Sequence, residues 1–176
     1  MDTIFTFYKD RLFSKEVVVY RDERDEQPEN DGNAPPEFEI KIHTRSLLIL
    51  ENTGSGTQEL LSGTYENLAK TSALLNGKSS ISMAKRKSIV SREWSFIHLS
   101  NTYKWDVKLL NREWSLHNAD GNVLARFNRL WFGFKKLGRL YMVDGLDKEL
   151  QAMVLLTCEL VHRSVKAREV AANSGG

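Results

Sequence analysis

The sequence predicts a mainly β domain: a barrel-like antiparallel sheet threaded by one apolar C-terminal helix. Three observations predict it. Short segments of alternating apolar and polar residues recur along most of the chain, and turn-forming residues separate them at short intervals. A segment beginning near Leu146 is apolar all round in its middle. A helix of that kind in a mostly β chain must be enclosed on every side, which needs a sheet wrapped about it.

The strands read as follows. Phe38, Ile40 and Ile42 alternate with Glu39, Lys41 and His43, the period of a half-buried strand. Tyr103, Trp105, Val107 and Leu109 alternate with Lys104, Asp106 and Lys108 in the cleanest such pattern of the chain. Val123, Ala125 and Phe127 line one face of another segment. Further strands are expected at Thr3–Tyr8, Glu16–Tyr20, Leu47–Glu51, Glu93–Leu99, Glu113–His117, Leu130–Phe134 and Arg139–Val143. Asn118-Ala119-Asp120-Gly121-Asn122 can supply the positive φ of a hairpin, and Gly138 is expected to turn the chain before Arg139. The connections are too short for helical crossovers, so the strands should pair antiparallel.

Two segments break this rhythm. Segment 21–37 has two Arg, seven acidic residues and Pro28, Pro35 and Pro36, for a net charge of −5. It is expected to be a disordered acidic loop between two strands. Because the whole chain carries +2, the remainder carries +7. Segment 52–80 opens on a Gly/Ser turn at Asn52–Gly56, and Thr64–Leu75 is expected to form a short helix using Leu68 and Leu75.

The final helix is expected over 146–168. Asp147 and Glu149 suit its N-terminus, and Ala152–Cys158 contains no charge. It is too short in apolar residues to span a membrane, which takes roughly 20, because Glu159 interrupts the run. Residues 1–168 should form one domain, with 169–176 a flexible tail. At 176 residues and 41% apolar composition the chain can bury a real core. A single cysteine, Cys158, excludes an intramolecular disulfide framework. Met1-Asp2-Thr3 opens without the basic and apolar regions of a secretory signal, so a cytoplasmic location is expected, with the membrane periphery or nucleus as alternatives.

Asn101-Thr102-Tyr103-Lys104-Trp105, Trp114-Ser115-Leu116, the Asp120-Gly121 turn and Val123-Leu124-Ala125-Arg126-Phe127 together resemble the tubby C-terminal-like superfamily. The match is to its small fungal members, related to LURP-one proteins and phospholipid scramblases. Leu146-Asp147-Lys148-Glu149-Leu150 through Val154-Leu155-Leu156-Thr157 resembles that group's C-terminal core helix. The resemblance covers roughly residues 93–163, and the first half by strand rhythm alone. It implies a closed antiparallel barrel of about twelve strands around a central hydrophobic helix. Tubby proteins bind phosphoinositides, but their headgroup-binding Arg/Lys pair has no residue-by-residue counterpart here.

Lys135, Lys136 and Arg139, with Arg126 and Arg129, form the densest basic group among the strands, interleaved with Trp131, Phe132 and Phe134. Such a group can attract anionic headgroups at about 1 kcal/mol per cation. The same alternation can instead turn the aromatics inward and leave a solvated basic rim. Lys85-Arg86-Lys87, flanked by Ser82, Ser88 and Ser91, is a second basic patch, read as a surface loop before the Trp94 strand.

Other motifs do not hold up. Gly77-Lys78-Ser79 has Ser72 where a phosphate-binding loop needs its first glycine, and Gly54-Ser55-Gly56 has Glu59 where a dinucleotide fingerprint needs its third. His43, His98, His117 and His162 show no metal-ligand spacing, although His98 and His117 lie on different strands that could meet. No nucleophile stands in an elbow context. Cys158 belongs to the apolar part of the helix, and Gly175-Gly176 reads as a frayed end.

The expectation is a monomeric, non-enzymatic binding module without cofactor or metal. Its expected partner is anionic membrane phospholipid or phosphoinositide, not nucleic acid. The alternative is a protein–protein adaptor or regulator using segments 21–37 and 52–80.

Overall fold

A computed structural model describes residues 2–10, 16–22, 35–65, 72–77, 81–86, 94–107, 113–130 and 135–173. It contains twelve strands: β1 (Asp2–Lys9), β2 (Glu16–Asp22), β3 (Phe38–Ile42), β4 (Ser46–Thr53), β5 (Gly56–Tyr65), β6 (Ser72–Gly77), β7 (Ile81–Arg86), β8 (Trp94–His98), β9 (Asn101–Val107), β10 (Glu113–His117), β11 (Val123–Arg129) and β12 (Lys136–Val143). One helix follows, α1 (Lys148–Asn173). The protein is mainly β with one long C-terminal helix, as expected.

Every ladder is antiparallel and joins sequence neighbours, except that β1 pairs with β12 as well as β2. Thr6 faces Arg139 across one ladder and Tyr20 across the other. Between β7 and β8 the described pairs are Lys85↔Ser95 and Arg86↔Trp94. Chain direction therefore alternates between two ends of the sheet. One end gathers Lys9, Glu16, Arg129 and Lys136; the other gathers Asp2, Asp22, Val143 and the start of α1.

Alternation fixes which side chains face inward. Phe38, Ile40 and Ile42 are buried on β3 while Glu39 and Lys41 are not, and Trp94, Phe96 and His98 are buried on β8. The inward residues meet α1, whose side chains are buried without a break from Ala152 to His162. Two indoles tie the wall to the helix. Trp105 Nε1–H donates to Thr157 Oγ1 at 2.9 Å, and Trp94 Nε1–H to Ser164 Oγ at 3.1 Å. Each hydroxyl in turn donates to a helix carbonyl, of Met153 and Leu160 respectively, so all these buried polar groups are satisfied. Asp147 caps the helix by accepting from the Leu150 N–H at 2.9 Å. The turn at Asn118–Asn122 forms as expected, with Gly121 at φ 83° and the Asn118 side chain accepting from the Asn122 N–H.

Five expectations are corrected. The helix expected over Thr64–Leu75 is replaced by strand at both ends: Thr64 and Tyr65 end β5, and Ser72–Leu75 open β6, while 66–71 lie outside the described residues. Gly63 shows why these strands come close, since a Cβ there would collide with the Leu74 carbonyl oxygen. Gly138 is not a turn but lies inside β12, opposite Phe7 and Arg129. A Cβ at Gly138 would stand 2.5 Å from the Asn128 carbonyl oxygen and the Phe127 ring, so a glycine lets the strands close up. Leu130 follows β11 instead of starting a strand, and 131–134 lie outside the described residues. Lys85 and Arg86 belong to β7, not a loop; Lys87 lies outside the described residues. Finally, α1 runs to Asn173, past the expected end at Arg168, because Glu169 is held by Arg129 through two hydrogen bonds of 2.6 and 2.8 Å.

Of the expected acidic loop, Arg21 and Asp22 complete β2 and Glu37 leads into β3, the Arg21 guanidinium bonding both Glu37 oxygens. Residues 23–34 lie outside the described residues, as do 174–176 of the expected tail. Among the described residues, no helix is long and apolar enough to cross a membrane.

Candidate functional site: the outer wall of β10 to β3

With the inner face occupied by α1, chemistry outside the core is carried by the outward residues. Register arranges those of β10, β11, β12, β1 and β2 in rows. One row reads Ser115, Arg126, Tyr141, Ile4, Asp22 and the next Glu113, Asn128, Arg139, Thr6, Tyr20. Lys136, Tyr8, Val18 and Glu39 form a third row that continues onto β3.

The five cations expected to form one headgroup site have different fates. Arg129 is engaged by Glu169 of α1. Arg139 is four-fifths covered, with its Nε 3.8 Å from Asp22 Oδ2. Asp22 also accepts from the Thr6 hydroxyl at 2.6 Å. Its Oδ1 and the Arg139 Nε are buried with no hydrogen-bond partner, a gap between donor and acceptor within one tight cluster. Arg126 and Lys135 are exposed, and Lys136 is half-buried with its ammonium 5.7 Å from the Tyr8 ring centroid. None of these three makes an ion pair among the described residues. Burial, then the neighbouring Arg139, holds the Lys136 pKa below its usual value, while Asp22 acts the other way. The structure thus leaves three of the five cations available, Arg126 on β11 and Lys135 and Lys136 where β12 begins.

Two pockets flank this surface. One, of about 440 Å³, is an open groove lined by Arg126 together with the acidic Asp2 and Glu113 and by Leu124, Asn128 and Tyr141. The other, of about 360 Å³, lies at the β1–β2–β3 end beside Lys135. Its tyrosines, Tyr8 and Tyr20, meet edge to face with centroids 5.6 Å apart. Burial pushes both phenol pKa values up, aided by Asp22 at Tyr8 and Asp10 at Tyr20, so both keep their protons. Sequence reading missed these tyrosines, because their outward alternation with buried valines and phenylalanines becomes visible once the β1–β2 register is known.

The aromatic members of the basic group, Trp131, Phe132 and Phe134, lie outside the described residues. Lys85 and Arg86 pair with Ser95 and Trp94 near the end where α1 leaves the sheet. His98 and His117 do not meet. His98 Nε2 lies 3.3 Å from Asp147 Oδ2, while His117 contacts Ser115 and the Gly121 carbonyl. Cys158 is buried within the core, where burial and the adjacent Glu159 raise its pKa well above the usual thiol value. No group of His, Cys, Asp and Glu with metal-binding geometry occurs among the described residues.

Beneath this wall sits a polar cluster that the sequence did not reveal. Glu159 on α1 is 3% exposed, accepts from Arg163 Nε at 2.7 Å and lies 3.2 Å from His162 Nδ1. Arg163 also donates to the Ile42 carbonyl at 3.1 Å. Burial alone would push the Glu159 carboxyl up. The charges and hydrogen bonds of His162 and Arg163 outweigh it and hold the pKa below the ordinary value.

The fold has a known counterpart. An X-ray structure of a protein from Arabidopsis thaliana superposes with a TM-score of 0.57 at 13% sequence identity. The match covers 90% of this chain and 91% of that one. The likeness is one of fold. No family model matches the chain, and no curated protein does.

Proposed function

We propose that this protein is a non-enzymatic binding module that associates peripherally with anionic phospholipid or phosphoinositide headgroups through its outer wall. The observation that carries this reading is the separation of the cations. Arg126, Lys135 and Lys136 stand on the outer face without an ion-pair partner among the described residues, while Arg129 and Arg139 are used internally. Free surface cations draw anionic lipid at about 1 kcal/mol each, so three of them spread along one wall give reversible, salt-sensitive attachment. A wall closed around α1 supports the same conclusion. The β1–β12 ladder joins the first and last strands, and a filled interior directs any ligand to the outside.

The experiment is co-sedimentation with vesicles containing or lacking phosphoinositide at low and high salt. Binding at low salt that weakens with salt is expected, and simultaneous charge reversal of Arg126, Lys135 and Lys136 should abolish it. Absence of binding at low salt would sink the lipid reading.

A second reading, a protein–protein adaptor, is favoured by the β8–β9 hairpin. Ile97 and Leu99 are 50% and 62% exposed, and Leu99 and Ser100 hold φ of 46° and 67°, a backbone region costly for such residues. An apolar tip in a strained turn suits a protein surface better than a headgroup, and Leu99→Ser would weaken capture of such a partner without touching vesicle binding.

A further inference from the structure

We propose that the protein docks end-on against an anionic lipid bilayer, through the end of the sheet at which α1 emerges. This rests on the anionic-lipid reading above and fixes how the molecule sits on the lipid.

Strand direction sorts charge between the two ends. α1 begins at one end, where Lys148 bonds Glu51, and emerges at the other, where Arg163 bonds the Ile42 carbonyl and Glu169 bonds Arg129. The charge of each end is carried by the last two positions of each strand, the described turn residues beside them and the part of α1 lying there. Where α1 emerges, these described positions carry eleven Lys and Arg against six acids, counting α1 from Glu159. Two of those acids, Glu159 and Glu169, are held by cations of the same end. Where α1 begins, they carry two Lys and Arg against eight acids, counting α1 to Glu149. The net charge of +2 conceals this dipole. A molecule charged oppositely at its two ends meets an anionic surface in one orientation.

The basic end reaches solvent. Arg45 beside β4, Lys135 beside β12 and Lys166 on α1 are all exposed there. Lys9 meets Lys166, and burial, then this second ammonium, lowers the Lys9 pKa while Glu159 acts the other way. An anion brought to this spot relieves the repulsion. Two aliphatic side chains are exposed at the same end, Leu130 at 45% and Val170 at 60%. Cations beside exposed aliphatic groups fit the boundary between headgroups and acyl chains, whereas nucleic acid offers phosphates and stacking faces but no apolar layer. Ile97 and Leu99 are also exposed, but at the acidic end, which an anionic bilayer repels. Arg126 lies three residues inside β11 from Arg129, about 10 Å from the rim, so screening leaves it a smaller share of the attraction.

The test uses vesicles of phosphatidylcholine with and without phosphatidylserine at low salt. In co-sedimentation, Arg45→Glu with Lys166→Glu should weaken binding at least about tenfold, and Arg126→Glu about threefold or less. Both variants should keep the wild-type thermal midpoint, because these side chains are exposed. An environment-sensitive dye on Val170→Cys should shift to the blue on vesicle binding, and the same dye on Leu99→Cys should not. Cys158 is buried and stays unlabelled. A response at Leu99→Cys alone overturns the end-on orientation. So does binding that Arg126→Glu abolishes and Arg45→Glu with Lys166→Glu leaves unchanged; in both cases the broader lipid reading stands. Absence of binding to either vesicle overturns both readings. A response at Val170→Cys that grows with protein concentration without vesicles assigns this end to a second copy and overturns the proposal.

Discussion

The inner and outer faces of the β11–β12–β1 wall are built from alternate residues of the same strands, yet they handle charge in opposite ways. Inside, Phe5, Phe7, Phe127 and Leu140 pack against a helix whose one buried carboxylate, Glu159, is tied to His162 and Arg163. Outside, Arg126, Lys135 and Lys136 stand without ion pairs among the described residues. A charge removed from water must be matched by partners, whereas a charge left in water can wait for one. The inner face therefore spends its polar chemistry on holding one structure, and the outer face keeps its cations free for a ligand.

Removing α1 breaks this contrast most severely. A chain ending before Leu146 would leave an apolar lumen exposed, and cooperative thermal unfolding should vanish. A truncated protein with a sharp unfolding transition would show that the sheet does not depend on the helix.

Glu159→Gln probes the inner face more finely. Breaking a buried charge pair costs about 3–5 kcal/mol, read as a lowered midpoint in denaturant. The pH dependence has a definite sign. A carboxyl whose folded pKa is below its unfolded value of about 4.3 stabilises the protein above that value, and the contribution is lost as pH falls through the folded pKa. The wild type should therefore lose stability on acidification below about pH 4.3, and Glu159→Gln should flatten that limb. An unchanged acid limb would assign it to other carboxylates.

The smallest effect is expected outside. Lys135→Glu with Lys136→Glu should alter stability by about 0.5 kcal/mol or less, since surface substitutions away from packed features are near neutral. The same substitutions weaken vesicle binding, so function and fold separate on this face. A large stability loss would mean that Lys136 over Tyr8 is part of the packing.

Much of the fold could be read directly. β3, β9 and β10 alternate apolar and polar residues cleanly; β3 and β10 run where the pattern places them, and β9 starts two residues earlier, at Asn101, with 108 and 109 outside the described residues. β5, β6 and β7 could not be read in this way. The first four residues of β5 are all exposed, so no burial signal marks them, and the strand forms because β4 supplies its hydrogen-bond partners. Gly138 shows a different failure. Glycine suits a turn and a close strand approach equally well, and the contact with Phe127 and Asn128 that decides between them is eleven and ten residues away in sequence. At the candidate site, sequence density grouped five cations, but two of them answer to Glu169 and Asp22, which no local pattern connects to them.

By itself, then, the sequence determined the buried helix and the β character of the wall, because both follow from burial periodicity within a few residues. The charge-free run Ala152–Cys158 demanded enclosure before any strand was placed. Tertiary structure decided which cations are free, where two tyrosines meet, and that a carboxylate is enclosed with the apolar helix. Each of these is a contact between distant segments. A contact of that kind depends on strand register and on where the helix passes, and neither is written in the neighbours of any one residue.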